Sequence, residues 1–154
     1  MTEQGRTITP SPTLLEAAED RSDDLQRILD EATHTLRGVR SFVALVDGES
    51  GELVVKSVAG DDWSDDKRAR RLQIGQQQGK GITAYVAASG KPYGTGDVRK
   101  DPYYLEYFDD VMSEIAVPLL DSHGRTIGVI NVESDNPGAF DDRDERFVDG
   151  MCVV

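Results

Sequence analysis

The chain has 154 residues, 38% of them hydrophobic, and its 29 acidic against 17 basic residues give a net charge of −12, which suits one acidic domain built on one core. Nucleic acid is excluded as a partner, because phosphate binding needs a basic stripe and none is visible. No apolar run approaches ~18 residues and the opening MTEQGRTITPSP has no apolar stretch, so neither a membrane span nor a secretory leader is expected and the expected location is the cytoplasm.

Residues 1–12 are polar and Pro-containing and read as a disordered tail, which leaves 13–154 as the domain. Thr13-Leu14-Leu15-Glu16 has capping-box form, and Ser22-Asp23-Asp24 offers a second helix start with acid in the first turn. From there Leu25, Ile28, Leu29, Ala32 and Leu36 recur at one-face helical spacing, and Gly38 is expected to end the helix in the left-handed conformation. Residues 41–47 and 52–58 are β-rich runs joined through Gly48-Glu49-Ser50-Gly51, a hairpin. A polar excursion over 59–71 follows. Its basic stretch from Lys67 to Arg71 follows Asp61, Asp62, Asp65 and Asp66, so it reads as a partly self-neutralised loop or short helix.

A short run around Leu72-Gln73-Ile74 leads into a Gly- and Gln-rich loop, 75–81, and then a helix over 82–89 closed by Gly90. Residues 91–97 read as a strand and 101–108 as a loop with a helical turn. Ser113–Leu120 and Thr126–Glu133 read as a hairpin turning at Asp121-Ser122-His123-Gly124, nearly continuous in apolar residues and so suited to central strands. A last helix is expected from Asp141, with Phe147 and Met151 on one face. The order implies an α+β fold with a mainly antiparallel sheet of five to six strands, terminal helices on one face and the middle segment on the other.

Five blocks in sequence carry a resemblance to the GAF domain family. Gly79-Lys80-Gly81-Ile82 through Val86 to Gly90-Lys91-Pro92 is similar to its G-x-G-I-x-x-x-V-x-x-x-G-x-P signature, and Asp97-Val98 to Asp101-Pro102-Tyr103-Tyr104 to the segment that follows. Ser113–Leu119 and Ile127–Ser134 resemble its closing hairpin, and Phe140–Glu145 the entry to its final helix. The resemblance implies a GAF/PAS-like fold with a ligand pocket between the sheet and residues 60–110. It also implies terminal helices that continue toward an output domain. The final helix here stops at Val154, so the chain is expected to be the sensor portion of a longer signalling protein.

Within that frame the candidate ligand-binding residues are of three kinds. Gly79, Gly81 and Ile82 lie at the start of a helix, where free N–H groups favour anions. Phe42, Trp63, Tyr93, Tyr103, Tyr104 and Tyr107 offer aromatic faces, and Asp97 and Glu114 offer carboxylates to ligand N–H groups. The bland alternatives are a connecting loop, aromatic anchors of the segment and solvated carboxylates. The ligand is unspecified. A cyclic nucleotide stays a candidate because Asn131, Phe140, Asp144 and Glu145 fit the family's nucleotide motif, although Val132 stands where its Lys belongs.

Catalysis is not expected. The GAF-like methionine sulfoxide reductases use pocket cysteines, and the only cysteine here is Cys152. Covalent bilin attachment fails on the same ground. Neither His34, on the first helix, nor His123, in a turn, is placed as a haem ligand, and no metal cluster stands out. The expected function is therefore non-catalytic sensing of a small molecule, relayed to an output domain or to a kinase, phosphatase or transcription partner. The alternative is a homodimerising interaction module with a vestigial pocket. The resemblance implies a helical dimer, with Leu14, Leu15, Ala18, Leu25, Ile28, Ala32 and Leu36 as its seam.

Overall fold

The computed structural model describes residues 22–151, with side chains described for 23–150. The expected seam residues Leu14, Leu15 and Ala18, the tail and Cys152 lie outside the described residues.

Helix α1 (Ser22–Leu36) forms where the sequence places an apolar stripe behind an acidic first turn. Its end differs from the expectation. Arg37, with φ 55°, is the left-handed residue, and the N–H groups of Arg37 and Gly38 bond to the carbonyls of His34 and Thr33. That pair of bonds is a Schellman ending displaced by one residue. Gly38 is required for a different reason: a Cβ there would stand 2.6 Å from Val132 Cγ1.

Strands β1 (Arg40–Val46) and β2 (Glu52–Gly60) form the first hairpin, followed by the one-turn α2 (Asp65–Arg68) and β3 (Arg71–Gln73). Helix α3 (Ile82–Ser89) is capped by Gly90 in the left-handed region. The expected strand over 91–97 shrinks to β4 (Tyr93–Thr95), because Asp97 caps a 3-10 turn at Val98–Lys100 instead of extending the strand. β5 (Ser113–Leu120), β6 (Thr126–Ser134) and α4 (Asp142–Met151) complete the chain. The six strands form one antiparallel sheet in the order β3-β2-β1-β6-β5-β4, so the hydrophobic runs of β5, β6 and β1 occupy the middle. The fold is α+β and GAF-like, as expected.

Alternation along these strands builds two cores. Val43, Leu45, Ile115, Val117, Ile130 and Val132 face Leu25, Leu29, Ala32 and Leu36 of α1 and Val148 of α4. Phe42, Ala44, Ala116 and Val129 face Ile82, Val86 and Ala87 of α3. The α1 stripe offered for a dimer seam is therefore turned inward. Leu25, Ala32 and Leu36 are buried, and Ile28 packs against them over the chain's own sheet. One stripe cannot cover the sheet and also face a second copy. No helix among the described residues is long and apolar enough to cross a membrane.

Leu29, fully buried between α1 and the sheet, fixes how α1 seats. Leu29→Ala should lower stability by about 2–5 kcal/mol, read as a drop in the urea midpoint with unchanged slope.

Candidate functional site

The face of the sheet turned toward α3 is apolar except at one end. There the antiparallel registers align Gly60, Arg40, Glu133, Glu114 and Thr95 across β2, β1, β6, β5 and β4. The next row reads Val58, Phe42, Asn131, Ala116 and Tyr93. Two carboxyls thus stand directly opposite one another on neighbouring strands, where side chains are close enough for like charges to repel. Both are buried, Glu114 at 5% and Glu133 at 4% exposure.

Burial raises both acids. Glu114 is held well above the usual carboxylate range, first by loss of water, then by Glu133 and Asp101. Glu133 is pushed up to about 7, mainly by burial and further by Asp110, while Arg40 and Lys67 pull it back. Such a pair titrates as a unit and retains a proton near neutrality.

Arg40 ends the row. Its guanidinium side chain is 3% exposed, donates to Asp62 at 3.3 Å and to Asp110, and lies 3.8 Å from Glu133 through Nε. The Phe108 ring stacks over it at 3.9 Å.

A cover built from residues 60–71 and 101–112 lies over this end. Trp63 meets Phe42 and Phe108 edge-on, with centroids 5.7 and 5.1 Å apart, and its Nε1–H donates to the Ala59 carbonyl. Tyr107 stacks on Phe42, and the Lys67 ammonium donates to the Tyr107 carbonyl. The Gly loop is stitched to the cover, Gly79 N–H to Pro102 O at 2.8 Å and Gly81 N–H to Tyr103 O at 2.7 Å.

Beneath the cover is a cavity of about 10 Å³, room for about one water. It is lined by Phe42, Gly81, Ile82, Thr83, Leu72, Leu105, Tyr107, Asn131, Glu114 and Glu133. The buried side-chain polar atoms without a hydrogen-bond partner among the described residues belong to Arg40, Tyr107, Asn131 and Glu133, all at this end of the sheet. Each such atom costs about 1–3 kcal/mol. Stability alone would favour apolar residues here, which makes this cluster the candidate site.

Five of the sequence-predicted residues therefore meet at the cavity: Phe42, Gly81, Ile82, Tyr107 and Glu114. Trp63 is a strut of the cover. Tyr93 and Tyr103 join Tyr85 in a separate aromatic trio, where the Tyr93 hydroxyl donates to Asp101 at 2.5 Å. Tyr104 packs beside Val98, Phe108 and Val111. Gly79 serves the loop, and Asp97 is taken by the Arg99 backbone and side chain, so neither is among the cavity-lining residues. Sequence reasoning missed Glu133 and Arg40 and placed Asn131 only in the nucleotide motif. A Glu set in the apolar β6 run was a visible anomaly, but its pairing with Glu114 was identifiable only through strand register.

The sequence profile of the GAF domain matches residues 18–152, and the chain belongs to the GAF domain family. It is 32% identical over 78 residues to a free methionine-R-sulfoxide reductase of Saccharomyces cerevisiae. That match takes in 51% of this chain and 43% of the yeast protein's length, so less than half of that relative is spanned. In fold it is similar to the free methionine-R-sulfoxide reductase of Neisseria meningitidis, solved with its substrate (26% identity, TM-score 0.73, 85% of this chain and 72% of that one). It is likewise similar to the type II enzyme of Thermoplasma acidophilum (22% identity, TM-score 0.72, 87% and 88% covered), a likeness of fold alone.

These findings correct the expectation of a non-catalytic sensory or interaction module, and with it the sensing and signal-transduction role. The yeast, Neisseria and Thermoplasma proteins are named as enzymes. The expectation erred by resting on the cysteine count, which concerns the electron donor and says nothing of the acids that hold a substrate.

The acid pair makes a pH prediction. Because Glu133 is raised when folded, its stabilising contribution is complete below the unfolded value near 4.5 and disappears as pH rises through about 7. Urea titrations of the wild-type chain and Glu133→Gln should converge near pH 5. By pH 8 the variant should be the more stable, by on the order of 2–3 kcal/mol.

Proposed function

We propose that this chain is a reductase-type GAF protein whose cavity takes a free, sulfoxide-bearing amino acid such as methionine sulfoxide. The observation that carries this reading is the opposed, buried Glu114–Glu133 pair beside the unpartnered Asn131 amide. The pair holding one proton carries one negative charge and one O–H donor. The anionic member suits a substrate ammonium, and the protonated member donates to a sulfoxide oxygen. The Asn131 amide supplies a further donor and acceptor. Phe42, Ile82, Leu105 and Tyr107 form the apolar wall for the thioether end. The similarity to proteins named as free methionine-R-sulfoxide reductases supports the same substrate class.

Reduction needs two electrons from thiols. No cysteine lines the cavity among the described residues, so the donor in this reading is an exogenous dithiol. One thiolate attacks the sulfoxide sulfur while the carboxyl gives its proton to the oxygen. The oxygen takes a second proton, the one the attacking thiol gave up, so the S–O bond breaks and water leaves; the proton the second thiol loses restores the carboxyl. The second thiol then attacks the first sulfur, closing the disulfide and releasing the thioether. One sulfoxide and two thiols become one thioether, one disulfide and one water.

The test is a chiral assay of free methionine sulfoxide with dithiothreitol as the donor. The R epimer should be consumed faster than in protein-free buffer, and Glu114→Gln should lower the catalysed rate by about 100-fold. Equal loss of both epimers at the buffer rate would overturn the proposal, even where calorimetry detects binding.

A further inference from the structure

The cavity has room for about one water, yet the groups around it suit an amino acid, which is several times larger. On the reading above, the cover must therefore lift for a ligand to enter. What holds it down decides how often it does so.

Besides the hydrogen bonds to the Gly loop and those of Trp63 and Lys67, two kinds of contact hold the cover. The apolar kind runs through Trp63, Phe108 and Tyr107 onto Phe42. The other is Arg40. Rooted in β1, its guanidinium reaches Asp62 on one arm of the cover and Asp110 on the other, while Phe108 lies over it. The cation is buried, but its two acids are not: Asp62 is 72% and Asp110 47% exposed at the side chain. Asp62 also adopts a left-handed backbone, φ 72°. Just before it, Gly60 pairs with Arg40 across the sheet, and a Cβ there would overlap the Val39 carbonyl oxygen and stand 2.8 Å from Arg40 Cγ, so β2 runs close against the root of the arginine. A buried guanidinium with half-solvated acids can exchange them for water at small cost, whereas Glu133 stays beside it in the sheet.

We infer that Arg40 is a positioning residue that clasps both arms of the cover to the sheet, and that its bridges to Asp62 and Asp110 set how readily the pocket admits its ligand. This inference rests on the cavity being the ligand site. Arg40 serves both states. Closed, it ties the arms. Open, it keeps Glu133 partly neutralised, so the acid pair does not lose its charge balance when the cover lifts. Because the acids face water, the clasp is screened by salt while the buried pairing with Glu133 is not. Opening is therefore salt-dependent in a way that purely apolar closure is not.

Trp63, the chain's one tryptophan, reports the cover directly. Acrylamide quenching of its fluorescence should rise with sodium chloride in the wild-type chain. In Asp62→Asn/Asp110→Asn it should be about fivefold higher at low salt and insensitive to added salt. Stopped-flow mixing with free methionine sulfoxide should show a correspondingly faster association. The double variant should keep the wild-type circular dichroism; its urea midpoint should fall, because the buried Arg40 guanidinium is left with Glu133 as its charged neighbour, so quenching is compared well below either midpoint. Quenching that is identical in both proteins at every salt concentration would overturn the clasp. The quenching arm uses no substrate. A salt-sensitive clasp in a chain that leaves methionine sulfoxide untouched would sink the reductase reading alone.

Discussion

Placing two carboxyls opposite each other inside a protein is costly twice over, once for the water each loses and once for their mutual repulsion. Glu114 and Glu133 are held in that arrangement by the β5–β6 register, and neither can turn away without unpairing a central strand. The strain is relieved by a retained proton and by Arg40, the next register partner along the row. Much else follows from this. The end of the sheet that carries the row cannot be sealed with aliphatic side chains, so it is closed by a cover that is aromatic toward the sheet and acidic at its rim.

The two faces of the sheet divide the labour. One face is mainly aliphatic, with a few buried serines, and is sealed by α1 and α4, which makes the strands a rigid base. The other is aliphatic under α3 and polar beyond it, so the polar groups are positioned by strands and covered by loops. A site built this way keeps its chemistry fixed while access to it varies. The unpartnered atoms of Arg40, Asn131, Glu133 and Tyr107 are a cost that an arrangement made only for stability would avoid.

The correction of the sensor expectation has a chemical lesson. Sulfoxide reduction separates into holding and protonating the substrate, and delivering electrons. The first task belongs to acids and amides on strands. The second belongs to thiols, which a substrate pocket need not contain if they come from elsewhere. Counting cysteines tested only the second task, and in doing so overlooked the acids.

Local pattern determined a good deal about this protein. The 3.6-residue stripe of α1, the Gly90 stop and the apolar blocks of β5 and β6 are properties of contiguous residues, and they were legible with the fold class and the family. Glu114, Phe42, Tyr107, Gly81 and Ile82 were legible as site residues because each stood out within its own segment. The remaining groups were not. Arg37 rather than Gly38 takes the left-handed turn because Gly38 must pass close to Val132, a neighbour only in space. Asp97 turned to cap its own loop, and the α1 stripe turned to the sheet. Arg40 looked like an ordinary strand-end charge, and Glu133 had no visible partner, until strand order brought β1 beside β6 and β6 beside β5. Sequence periodicity assigns a side chain to a face, but only the pairing of distant strands decides which side chains share a row, and that pairing made the charged site.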